Sequence, residues 1–324
     1  MPKKRMKIRM VLLLLLCSAF VLAGGALESS QAQVTYLTMG TGGTAGTWYP
    51  VGGVLSAAMS KSKTVSVTAQ ASAASIENIR TVGMGERQLG MAASGLILFA
   101  VQGVEMFKGE KYPDLRSIAS MMPNQFQLVV RDGSGINSMM ELAGKNVGTG
   151  APGSGDKILA EEVLKALGLL DKVKTMPLSF AEQVTAFKNR QIDCIFAASP
   201  APTAAVLDAG SQTKVKFLGF TPEMRTKVHA ALPYVVDDVI TTKHYAFLSQ
   251  DVPTFSVLTI LFTSAKIPER VVYDLTKAMW AELATIKASH GAMVNWNMDM
   301  AVKGFPVPAH PGALKFYKEK GKMN

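Results

Sequence analysis

Acidic residues are absent from a long stretch of this 324-residue chain: between Glu28 and Glu77 there is no Asp or Glu. A dinucleotide site needs an acidic residue about 20 residues beyond its glycine fingerprint to hold the ribose hydroxyls. Gly40-Thr41-Gly42-Gly43-Thr44-Ala45, which otherwise fits such a fingerprint, therefore fails as one. Cysteine is nearly missing, with only Cys17 and Cys194. Once a leader carrying Cys17 is removed, Cys194 stands alone inside the apolar run 192–198, which excludes an internal disulfide and a cysteine metal cluster and fits a buried, inert thiol. The four histidines, His229, His244, His290 and His310, are scattered without His-x-x-x-His spacing, so no metal and no cofactor is expected. No apolar run after the first thirty residues approaches the roughly 20 residues of a membrane span, so the mature chain is expected not to insert in a membrane.

The N-terminus is an address. Lys3, Lys4, Arg5, Lys7 and Arg9 precede an apolar run from Met10 to Ala23, and Ser30-Gln31-Ala32 offers a small-x-small cleavage site. Export to the periplasm with cleavage near Ala32 is the expectation. A lipoprotein signal puts a small residue before its cysteine, and Leu16 stands before Cys17. Loss of residues 1–32 lowers the formal charge from +10 to about +6, which still favours small anions. The roughly 290 residues left suit one large or two medium domains.

Short apolar segments alternate with helical periodicity. Strands are expected near 34–39, 64–70, 89–94, 126–131, 145–149, 174–178, 192–198, 215–220 and 254–263. Helices are expected near 49–60, 75–84, 95–107, 138–142, 156–167, 181–189 and 268–287. This is α/β layering. In the helix 156–167, Leu159, Val163, Leu164 and Leu167 recur on one face, Asp156 is placed to cap the start and Gly168 to stop the end. A turn cluster at Asp132-Gly133-Ser134-Gly135 and a return to a β-rich run at Pro253–Thr263 predict two lobes. The first comprises 33–131 and 251–324 and embraces a second at 132–250.

Two glycine-rich loops each run from a strand into a helix start. The second, Gly150-Ala151-Pro152-Gly153-Ser154-Gly155-Asp156-Lys157, is no triphosphate loop, because Asp156 stands where lysine would be needed. What both loops offer is unpaired first-turn N–H groups at the positive end of a helix dipole, approachable because glycine has no side chain. Such a terminus holds a carboxylate, sulfate or phosphate without a basic side chain. Read structurally, the same glycines only make tight turns. A third loop, Ala71 to Asn78, brings Ser75 to another helix start, where it also reads as a plain N-cap.

The segments Gly40–Thr44 and Tyr49–Gly53, Ser75–Asn78, Gly150–Gly155, Gln191–Asp193 and His310–Ala313 with Phe316–Gly321, in this order, resemble the TAXI family. These are the solute-binding proteins of TRAP (tripartite ATP-independent periplasmic) transporters. The resemblance implies a two-lobed α/β periplasmic-binding-protein-like fold of type II, with mixed sheets flanked by helices and a ligand cleft between the lobes. It implies a non-enzyme that closes on a small organic anion, a glutamate-like amino acid or a mono- or dicarboxylate, and hands it to TRAP permease subunits. By position it implies ligand contacts from Thr41, Gly42, Gly43, Thr44, Trp48 and Tyr49, from Ser75 and Asn78, from Ser94, from Gly153, Ser154 and Gly155, and from Ser199 and Tyr245. The chain departs from the family pattern at Ala45, Trp48, Gly95 and Pro200; Gly95 in place of an aspartate leaves an amino-acid substrate and a plain carboxylate equally open. Arg80 and Arg131 read as solvated or paired elsewhere. An ATP-driven importer's receptor shares the architecture and is the alternative. A secreted serine hydrolase fits poorly, since neither Ser134 nor Ser154 sits in G-x-S-x-G. No nucleic-acid partner is expected.

Overall fold

The computed structural model describes residues 34–232 and 234–324; the signal segment, with Cys17 and the cleavage site, lies outside the described residues. The first half of the chain alternates strictly: β1 (Thr35–Gly40), α1 (Trp48–Met59), β2 (Val65–Gln70), α2 (Ser75–Met84), β3 (Leu89–Ala93) and α3 (Ser94–Gln102). There follows β4 (Leu115–Arg131), seventeen residues long and buried along almost its whole length on both faces. The alternation resumes with β5 (Asn146–Gly148), α4 (Gly155–Ala166), β6 (Lys174–Met176), α5 (Phe180–Lys188), β7 (Cys194–Ser199), α6 (Ala204–Gln212), β8 (Val215–Phe217), α7 (Pro222–Ala231) and β9 (Val236–Ile240). Finally β10 (Val252–Ser264) leads to α8 (Glu269–Ala281), α9 (Leu283–Ser289), α10 (Met298–Ala301) and α11 (Pro311–Glu319).

The strands join one mixed sheet in the order β2-β1-β3-β10-β4-β7-β5-β6, with β8 on β4 and β9 on β10. Its two ends are parallel βα units, β1–β2–β3 at one end and β5–β6–β7 at the other. They are joined by β4 and β10, which run antiparallel to each other and belong to both ends. The start of β4, Leu115 to Ser120, pairs with Ile260–Ser264 of β10, whereas Gln125–Val130 pair with Ser199–Cys194 of β7. Reciprocally, β10 pairs with β3 through Thr259–Thr263 and with β9 through Val252–Ser256. The change from one half to the other thus falls inside two strands, at Pro123–Gln125 and Ser256–Leu258, where the β4–β10 register also shifts.

Three apolar clusters fill the layers. One lies against the first half under α1, α8 and α11 and includes Trp48, Leu55, Trp280, Trp296 and Tyr317. A second lies against the other half under α5 and α6 and includes Phe187, Ile195, Val206 and Tyr245. The third runs continuously beneath both halves, from Ile79 and Ile97 of α2 and α3 to Leu159 and Val163 of α4 and Val228 of α7. The halves are therefore divided on one face of the sheet and share a core on the other. Cys194 is buried, with its thiol pushed up to about 12 by desolvation.

Candidate functional site

The loop after β1 is tied down by its own main chain. Thr41 N–H donates to the Gln70 carbonyl at 3.0 Å, Ser72 N–H to the Gly42 carbonyl at 3.3 Å and Gly46 N–H to the Gly43 carbonyl at 2.9 Å. The last two of these bonds use the loop's own carbonyls. Among the described residues the N–H groups of Gly42, Gly43 and Trp48 have no hydrogen-bond partner, as expected for donors at and before a helix start. Trp48 opens α1, and its Nε1–H donates to Asn124 Oδ1 at 2.8 Å, which fixes the buried indole as a wall. The loop also reaches the other half of the molecule. Thr47 Oγ1 donates to the Pro200 carbonyl at 2.8 Å, and Ala205 N–H donates to the Ala45 carbonyl at 3.1 Å.

The loop before α4 faces it. Ser154, and not Asp156, is the N-cap of α4, accepting from Lys157 N–H at 3.2 Å. Gly155 follows, and a Cβ added there would lie 2.8 Å from Ser75 Oγ and from Leu96 Cδ1, so the start of α4 rests directly on the starts of α2 and α3. Ser75 is likewise not a cap: Ala74 precedes α2 without a side-chain cap bond, and Ser75 Oγ accepts from Ala93 N–H at 3.1 Å.

Between these loops lies a pocket enclosing about 640 Å³ of empty space, its open mouth included. The starts of four helices, α1, α2, α4 and α5, line it through Trp48, Ser75, Gly155 and Phe180. The end of β7 adds Ser199, 2 % exposed, whose hydroxyl has no partner among the described residues, and β4 adds Asn124. Among the described residues no Lys, Arg or His lines the pocket, and Asp156 is the one titratable side chain there. Its Oδ1 accepts from Ala198 N–H at 3.1 Å. Burial pushes the carboxyl up to about 7 against the opposing pull of two main-chain N–H groups, those of Ala198 and of Asp156 itself. The residue as a whole is half-buried and lines the pocket.

Of the residues singled out from sequence, Gly42, Gly43, Trp48, Ser75, Ser154, Gly155 and Ser199 meet at this pocket. Thr44 and Tyr49 are exposed, Gly153 is exposed at a turn and Ser94 begins α3; none of the four lines it. Thr41, Asn78 and Tyr245 are buried outside it and engaged elsewhere. Thr41 Oγ1 donates to the Gln70 carbonyl. The Asn78 amide donates to the carbonyls of Thr41 and Met91, each at 2.8 Å, and stitches the ends of β1 and β3 together. Tyr245 donates to Gln127 Oε1 and accepts from Thr203 N–H, holding the turn after β7. Sequence reasoning missed Asn124, Phe180 and Asp156 as pocket residues: Asn124 lies in mid-strand, Phe180 just after an N-cap, and Asp156 reads from the sequence as a helix cap. Arg80 pairs with Glu110 at 2.8 Å and Arg131 with Asp193 at 3.4 Å, both away from the pocket. Among the described residues no helix is long and apolar enough to cross a membrane.

The model of the NMT1-like family matches residues 39–321. Among solved structures, the periplasmic binding protein BugD is similar with a TM-score of 0.56 at 15% identity, covering 89% of this chain and 94% of that one. A periplasmic transporter protein is similar with a TM-score of 0.54 at 13% identity, covering 91% and 95%. The alkanesulfonate-binding protein SsuA of Xanthomonas axonopodis pv. citri, bound to MOPS, gives 0.48 at 17% identity, covering 90% and 81%. For the first two of these the likeness is one of fold: an α/β periplasmic-binding-protein-like architecture in which a curled mixed sheet is flanked by helices.

Proposed function

This chain belongs to the NMT1-like family, and from that premise we propose that it is an exported solute-binding receptor that captures a small organic anion between two lobes and delivers it to the membrane component of an importer. One observation carries the reading. Residues from both halves of the sheet whose main-chain N–H groups have no partner, Gly42, Gly43 and Trp48 on one side and Gly155 on the other, line a shared pocket with no basic side chain among the described residues. Helix termini act there as the counter-charge, each equivalent to roughly half a positive charge. The unpartnered Ser199 hydroxyl and the O–H of Ser75 supply two further neutral donors on the pocket wall.

Closure follows from where the contacts lie. In the form described, the first loop already reaches the turn at Pro200–Ala205, and Gly155 already rests on Ser75. An open form must break these contacts by bending β4 and β10 near Pro123 and Leu258. A guest that bridges both loops favours the closed form by its differential affinity for it, and micromolar binding, about 8 kcal/mol, is ample to bias a gap of a few kcal/mol. The lobes are taken to divide at those strand positions.

A thermal-shift screen of the purified protein against carboxylates, amino acids and sulfonates tests the reading. A ligand at about 100 times its dissociation constant adds about 2.7 kcal/mol, and a clear rise in melting temperature is expected for at least one small anion. No shift with any of them refutes it. The loop motifs shared with TAXI receptors favour a TRAP permease as the membrane partner; the alternative is an ATP-driven importer. Uptake by a reconstituted permease that follows an ion gradient supports the first, and uptake that requires ATP hydrolysis supports the second.

A further inference from the structure

A pocket built for an anion has no evident use for a carboxyl, yet Asp156 lines it. No cation neutralises it: the neighbouring Lys157 pairs with Glu161 at 2.6 Å, and among the described residues no ion pair involves Asp156. The main-chain bond from Ala198 uses one carboxyl oxygen, a task that the amide oxygen of an asparagine would perform without charge. Asp156 is also not needed as a cap, because Ser154 fills that place. What distinguishes the site is a negative group beside four positive helix ends, with the uncommitted Ser199 hydroxyl on the same wall. An unpaired carboxylate so deeply placed is costly unless the guest brings its partner.

We propose that Asp156 is a specificity-determining residue that receives the ammonium group of a zwitterionic guest, so that the ligand is an amino acid or another small acid carrying an amino group. Its carboxylate lies against the main-chain donors at Gly42, Gly43 and the starts of α1 and α4, and its ammonium against Asp156. This rests on the receptor reading above and narrows it. The burial that raises the Asp156 carboxyl to about 7 has a consequence with a definite sign. The ammonium binds the ionised form, so preference for an amino-bearing guest is strongest above pH 7 and fades as Asp156 gains its proton below it. Among the described residues no other titratable group lines the pocket, and no charged side chain contributes to the Asp156 shift.

Calorimetric titration of the purified protein with matched pairs, glutamate against glutarate and alanine against propionate, at about pH 8 and about pH 6 tests this. At the higher pH the amino member of the bound pair is expected to bind at least roughly tenfold more tightly, with the preference shrinking at the lower pH. Asp156→Asn is expected to remove most of the preference and its pH dependence while binding of the plain acid persists or strengthens. A preference that survives Asp156→Asn unchanged overturns the proposal. So does a plain acid that binds more tightly to the wild type and gains as pH falls, which would make Asp156 a proton donor to a second carboxylate. Should the variant not fold, as judged by circular dichroism, the pH profile of the wild-type preference decides alone. Equal binding of both members of a pair sinks this inference and leaves the anion receptor standing; binding of no acid in any pair counts against both.

Discussion

The loop at 41–47 supplies main-chain donors and crosses to the opposite half through Thr47 and Ala45, whereas the loop at 149–154 bonds within its own half and ends in a side-chain carboxyl. Their glycines are there for different reasons. In the second loop Gly150 and Gly153 have φ of +104° and +77°, a region that side chains other than glycine rarely adopt. In the first loop no residue has positive φ, and Gly42 and Gly46 are instead set by close neighbours, Trp48 at 3.3 Å and Phe180 at 3.2 Å from an added Cβ. Two stretches that look alike in sequence thus solve different problems, one of backbone shape and one of access.

The sharpest way to break the comparison is to give both loops a methyl group. At Gly150 an added Cβ would meet Asp156 Cβ at 2.7 Å and Lys157 N at 2.8 Å as well as forcing the strained φ. Gly150→Ala is expected to cost about 3 kcal/mol or more, read as a fall in the midpoint of urea unfolding, with anion binding lost alongside. Gly155→Val is next. It wedges the starts of α2 and α3 from α4 without straining the backbone. Ligand affinity should fall by roughly a hundredfold, about 2.7 kcal/mol, while unfolding of the ligand-free protein changes little. Affinity kept within a few-fold would show that closure does not bring Gly155 against Ser75.

Charge sharpens the contrast further. A carboxyl held near 7 in the folded protein and near 3.8 when unfolded binds more protons in the native state between those values, so stability falls as pH rises from about 4 to about 7. The full shift corresponds to about 4 kcal/mol at most, and the pocket's opening to water reduces that to about 1–2 kcal/mol. Ligand-free Asp156→Asn is expected to lose this slope and to be more stable than wild type near pH 8 but not near pH 4.5, by denaturant titration at each pH. Equal slopes in the two proteins would place the Asp156 carboxyl in ordinary solvent.

How much of this was legible beforehand follows the same division. Strand and helix positions in the βα units at both ends were close to those read from periodicity, because most of these elements have a clean apolar face; β6, with no buried residue, is an exception. β4 was read only from residue 126, since Ser117, Ser120, Pro123, Asn124 and Gln125 break the apolar pattern of its first half, yet all but Pro123 are buried. They are buried because β4 is covered on both faces, which no period of two can express. α6, α7, β9 and α11 escaped for local reasons: β9 carries Asp237 and Asp238, and α7 has little apolar face. At the site, the glycine loops announced helix starts with free donors. Which donors meet depended on contacts such as Thr47 to Pro200, more than 150 residues apart. Asn78, an apparent ligand residue by position, is spent on joining β1 to β3.

Two smaller changes test the crossing contact against the open end of the same loop. Thr47→Val keeps the shape but leaves the buried Pro200 carbonyl without its 2.8 Å donor. Closed-state stability should drop by about 1 kcal/mol, seen as a roughly fivefold weaker ligand and a faster ligand off-rate. Gly43→Ala is the control that decides whether the first loop works through its main chain. Nothing lies within 4 Å of an added Cβ there and its φ is not positive, so neither strain nor a clash opposes the methyl. Stability should stay within about 0.5 kcal/mol of wild type. If the Gly43 N–H is the group a guest uses, affinity should also stay within about twofold, because the donor is untouched. A large loss of affinity without a loss of stability would instead mean that the guest needs the space above Gly43, and that its absence of a side chain, like that of Gly42, is a matter of access.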